Sequence, residues 1–138
     1  MRKNNISLSI VLTILLISCG TNEPAGPYTS IKGTWRCTET SVMNSRSYSV
    51  DIYRTKKDTS VYLLSNFYNV SIEGEYDITA KLSGNTLTIN PSPQSIGPTA
   101  IVVKSGSAVV NENFTQMVFD YIIYDGQSDI KVHSVYSR

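Results

Sequence analysis

The sequence predicts an all-β domain in which about eight short antiparallel strands form a meander that closes into a small barrel. A two-sheet β-sandwich is the alternative. Three observations carry this reading. From Ile31 onward, apolar and polar residues alternate with period two in short runs. Gly, Asn, Asp, Ser and Pro punctuate those runs, and no long 3.6-residue apolar stripe interrupts them. A meander of that size exposes two edges unless its first and last strands meet, and closure removes both.

Residues 1–18 stand apart from this pattern. Arg2 and Lys3 precede an uncharged apolar run from Ile6 to Ile17, the layout of a secretory signal and too short for an ordinary membrane span. Leu16-Ile17-Ser18-Cys19 closes the run. This resembles the bacterial lipobox: an apolar residue, a tolerant position, a small residue, then cysteine. The resemblance implies cleavage before Cys19, a diacylglyceryl group on its sulfur and an acylated new amino terminus. Each buried methylene of such chains is worth about 0.8 kcal/mol, so two or three chains anchor a protein almost permanently. Residues 19–30 are the expected tether, since Gly20, Pro24, Gly26 and Pro27 among polar residues favour an extended linker. Gly20 in place of aspartate after the cysteine favours, by the same resemblance, the outer membrane. The expected location is therefore the cell envelope, with the membrane as a partner through covalent lipid.

Residues 31–138 form the single expected domain. Gly33 to Ser41 opens it, with Trp35 and Cys37 on one face and Arg36 and Thr38 on the other. Arg46 to Arg54 alternates next, with Tyr48, Val50 and Ile52 together. Thr55–Thr59 is a charged turn before Val61–Leu64, and Phe67–Glu75 is an irregular connection. Tyr76–Leu82 turns through Ser83-Gly84-Asn85 into Thr86–Ile89, a hairpin. Asn90–Pro98 is expected to be a loop, since Pro91, Pro93 and Pro98 forbid a central strand. Thr99–Val110 is a strand with an expected break at Gly106. Asn111-Glu112-Asn113 leads into Phe114–Tyr124, and Asp125–Ser128 turns into Asp129–Tyr136, where Ile130, Val132, Ser134 and Tyr136 share a face.

Gly33-Thr34-Trp35 is similar to the Gly-x-Trp opening of lipocalins and other calycins. That likeness implies an eight-stranded up-and-down barrel plugged at one end by the tryptophan. Short Bacteroidota lipoproteins are similar in this opening and in Ser-Gly-Asn hairpins. The chain departs from lipocalins in being short, in lacking a helix after the last strand, and in having no expected counterpart of the family's late arginine, Arg138 being the last residue.

Composition narrows function. The chain has 12 basic and 11 acidic residues, and loss of Arg2 and Lys3 leaves a net charge near −1, so no nucleic-acid footprint is expected. If Cys19 is lipidated, Cys37 cannot pair and reads as a small buried hydrophobe. His133 is the one imidazole, placed outward on the last strand, so a zinc site or a Ser-His-Asp arrangement is not expected. Glu73, Glu75 and Asp77 read as a solvated acidic patch, and Asp125 and Asp129 as turn chemistry. No metal, cofactor or catalysis is expected.

The function expected from this reading is binding of a small apolar or amphipathic ligand inside the barrel, in a cavity lined by residues such as Tyr48, Ile78 and Tyr121. A tethered module with a filled core that recruits an envelope protein or glycan is the alternative.

Overall fold

The computed structural model describes residues 27–70, 76–90, 93–97 and 101–138. The leader, Cys19, residues 19–26 of the tether, Glu73, Glu75, Pro91 and Pro98 lie outside the described residues. Nine strands form one antiparallel sheet: β1 (Gly33–Ser41), β2 (Ser45–Arg54), β3 (Val61–Ser65), β4 (Ile78–Ser83), β5 (Thr86–Ile89), β6 (Gln94–Ser95), β7 (Val102–Val110), β8 (Gln116–Tyr124) and β9 (Asp129–Ser137). The order is β5-β4-β3-β2-β1-β9-β8-β7-β6, and β5 also pairs β7. Two pairings therefore close the ring: β1 with β9, as in Thr38 opposite Val135, and β5 with β7, as in Leu87 opposite Ala108. The result is a small lipocalin-like barrel of eight strands, with β6 a two-residue addition on β7. The sandwich is excluded, because all the strands among the described residues belong to one sheet.

The predicted alternation places the core. Trp35, Cys37, Val50, Leu64, Ile78, Ala80, Leu87, Val103, Ala108, Met117, Phe119, Ile123 and Tyr136 are fully buried, each pointing into the barrel. Gly84 starts the β4–β5 turn at φ +59, a left-handed value that glycine adopts without steric cost.

Three expectations need correction. Gly106 does not break its strand. The irregularity is a bulge between Val103 and Ser105 that leaves Lys104 as the extra residue, while Gly106 sits in register opposite Tyr121. A Cβ at Gly106 would meet the Tyr121 Cβ at 2.5 Å and Ile89 Cδ1 at 2.9 Å. Glycine is there for space, not for a break. The strand expected to start at Phe114 starts at Gln116, because Phe114 completes the turn at φ +54.

Third, the loop expected from Asn90 to Pro98 carries the two-residue strand β6, paired with β7. Arg138 packs at the Trp35 end of the barrel. Its guanidinium stacks 4.1 Å from the Trp35 ring and 4.0 Å from that of Tyr28. Its Nε donates to the Phe114 carbonyl at 2.7 Å, Nη1 to that of Lys32 at 2.5 Å and Nη2 to that of Ser30. Burial lowers its pKa, with Tyr28 acting in the opposite sense. One end of the barrel is thus closed by Trp35 under Arg138, and the segment from Tyr28 to Lys32 is pinned there.

Candidate functional site

The opposite end, where the β1–β2 hairpin turns, holds the unusual chemistry. Glu39 continues the inward phase of Trp35 and Cys37 and is fully buried. Arg46, its cross-strand partner on β2, donates from Nε to Glu39 Oε1 at 2.8 Å. Tyr48 donates its hydroxyl to Oε2 at 2.5 Å, and Tyr121 on β8 donates to the same oxygen. One carboxylate thus gathers three donors from two strands, β2 and β8, which a charge taken out of water requires.

The Arg46 guanidinium lies flat against Tyr68, 4.0 Å from the ring centroid, with Tyr48 at 5.6 Å. Its side chain is 25% exposed, against 0% for Glu39. Burial works against the charge on Arg46, but Glu39 outweighs it by attraction and hydrogen bonding, and the pKa is raised. Burial pushes the phenols of Tyr48 and Tyr121 well above their ordinary range, so both stay protonated donors.

Tyr68 arrives from the β3–β4 connection, where Phe67–Asn69 form a single 3₁₀ turn. Asn66, Tyr68 and Asn69 have φ of 58°, 58° and 55°. Asparagine tolerates that left-handed region, while for tyrosine it costs about 1–2 kcal/mol. Asn66 Nδ2 secures the turn by donating to the Ser49 carbonyl at 2.8 Å. The turn drives Phe67, fully buried, into the barrel against Phe119 (5.6 Å between centroids) and Tyr121 (4.7 Å). Of Tyr48, Ile78 and Tyr121, the residues expected to line a cavity, Ile78 and Tyr121 are buried and Tyr48 is partly buried against the core, and Tyr121 also lines an open pocket of about 800 Å³ with Val42, Ile89, Gly106 and Val132.

The other candidate residues are dispersed. Cys37 is buried and free, and burial pushes its thiol up to about 11, which keeps it protonated and unreactive. His133 is outward, as expected. Its Nδ1 lies 2.7 Å from Asp120 Oδ1, its cross-strand partner on β8, and both side chains are more than half exposed. Thr40 sits opposite His133 on β1 and Ser107 opposite Asp120 on β7, so hydroxyls flank the pair on the outer wall. Asp125 Oδ1 accepts from the backbone of Gln127 and Ser128 at 2.8 Å, the turn chemistry expected, while Asp129 pairs with Lys104. Asp77, the described member of the acidic trio, is partly buried, which raises its pKa. Among the described residues, no group of three or more His, Cys, Asp or Glu is arranged to hold a metal.

Sequence reasoning missed Glu39, although its phase with Trp35 and Cys37 was the available signal. It also missed Phe67 and Tyr68, for which no periodicity exists. No protein-family model matches the chain, and no curated protein matches it.

Proposed function

We propose that this protein is a lipid-anchored, non-catalytic module of the cell envelope that recruits a partner through its surface. Cys19 carries the anchor. The observation that supports surface recruitment over an internal ligand is Phe67, fully buried with its ring against Phe119 and Tyr121.

The two ends of the barrel support a division of labour. Arg138 pins Tyr28 and Ser30 at the Trp35 end, where the expected tether joins the domain. Glu39 and Arg46 lie toward the other end, Glu39 four residues beyond Trp35 on β1, about 13 Å at the usual strand rise. The anchored end faces the membrane, and the mouth faces away. At the mouth, Val42 and Met43 project from the β1–β2 hairpin with exposures of 89% and 68%, the exposed apolar pair a recruitment surface needs.

The second reading is a small amphipathic ligand held by the barrel. An open pocket of about 800 Å³ lined by Val42, Ile89, Gly106, Tyr121 and Val132 is the observation in its favour. Thermal unfolding of the full chain with long-chain fatty acids and lysophospholipid separates the two. A ligand that binds only the folded state raises the transition temperature saturably. Surface recruitment predicts no saturable rise, and a stoichiometric one would replace it with the internal-ligand reading.

A further inference from the structure

We propose that the barrel mouth is a receptor for an arginine side chain of a partner protein, and that Arg46 occupies it in the free state. The inference rests on the mouth being the partner-facing end and names what that end recognises. Glu39 offers a carboxylate already oriented by Tyr48 and Tyr121, and Tyr68 and Tyr48 offer aromatic faces beside it. Carboxylate plus aromatic faces is the chemistry that selects a planar guanidinium, which pairs with the first and stacks on the second. Arg46 displays that fit from within the chain.

Arg46 is also imperfectly held. Only its Nε reaches Glu39, and its Nη2 is enclosed without a hydrogen-bond partner. The side chain is more exposed than Glu39 and is the second residue of β2, close to the exposed hairpin tip. A polypeptide whose apolar residues seat on Val42 and Met43 therefore brings a neighbouring arginine to the place Arg46 holds. Arg46 then swings to solvent, where its charge loses little.

The probes are N-acetylarginine amide and a short peptide with arginine between two leucines, titrated into the full lipidated chain in detergent micelles. The readouts are the transition temperature and the side-chain Nε signal of Arg46. The expected result is saturable stabilisation, with the Arg46 signal moving to its solvent-exposed position. Apparent affinity falls at least tenfold in Glu39→Gln and at least tenfold when lysine replaces arginine in the peptide. Arg46→Ala, which removes the internal competitor, binds at least tenfold tighter.

No saturable response in the wild-type chain, or one unchanged by Glu39→Gln, overturns the proposal. If Arg46→Ala does not fold, Arg46→Lys serves in its place and is expected to show the same direction. Failure here without any fatty-acid response removes the guanidinium site alone, whereas a fatty-acid response removes surface recruitment itself.

Discussion

The Tyr121 hydroxyl on β8 donates to the carboxylate of Glu39 on β1, a partner 82 residues away in the chain. Both strands pair with β9, so the bond depends on the β1–β9 and β8–β9 pairings and reports on them and on the mouth together. Replacing Glu39 by glutamine removes the charge that three donors share and leaves the Arg46 cation beside a neutral amide. We expect a loss of about 3 kcal/mol, the low end for breaking a buried pair because Arg46 keeps some water. Tyr121→Phe costs about 1–2 kcal/mol. Chemical denaturation measures both, and the double variant is less than additive because the two residues share one bond.

Gly106→Ala is the sharpest packing prediction. The added methyl has no space beside Tyr121 Cβ and Ile89 Cδ1, and overpacking of this kind costs about 1–3 kcal/mol. Gly84→Ala meets nothing within 4 Å and loses only the backbone preference, about 1–2 kcal/mol. Ile89→Val relieves one of the two clashes at Gly106 and none at Gly84. Denaturation midpoints of Gly106→Ala and Gly84→Ala, each with and without Ile89→Val, show whether space or backbone is limiting at each position.

Stability also has an alkaline edge. The folded chain holds the Cys37 proton more tightly than the unfolded chain does, with a pKa of about 11 against 9.0. That contribution is complete below pH 9 and is lost as pH rises through 11, a change of about 2–3 kcal/mol. Buried Tyr48, Tyr121 and Tyr136 are raised in the same sense and steepen the fall at higher pH. Unfolding free energy measured from pH 7 to pH 11 should be flat and then decline, and Cys37→Ala should decline less. In the native protein at pH 8, a thiol reagent should leave Cys37 unmodified until denaturant is added.

The Arg138 clamp has a protease signature. Arg138→Ala removes hydrogen bonds to the carbonyls of Ser30, Lys32 and Phe114 and the stacking on Tyr28 and Trp35. Trypsin cleavage after Lys32 should accelerate several-fold in the variant while the barrel stays folded by circular dichroism. Unchanged cleavage would mean the segment is held without the clamp.

These predictions divide along what alternation carries. Trp35, Cys37, Val50, Ile78, Leu87 and Tyr136 were legible as inward residues because period two needs only local sequence. Glu39 follows the same phase, yet a lone glutamate on an apolar face reads as a register error until Arg46, Tyr48 and Tyr121 converge on it. Arg138 and Trp35 belong together only once β9 pairs with β1. Phe67 is harder still. Nothing local distinguishes a loop phenylalanine that enters the barrel from one that stays outside, because its place depends on the left-handed turn and on the space between Phe119 and Tyr121.

The central claim is a filled barrel held to a membrane by its first mature residue, and intact-mass spectrometry of the protein from its native envelope tests it most directly. The predicted mass is that of a chain beginning at Cys19 with a diacylglyceryl group and an added acyl chain, and with no small molecule retained. A chain that is uncleaved or bears no lipid would contradict the anchor, and an apolar compound retained one-to-one would contradict the filled barrel.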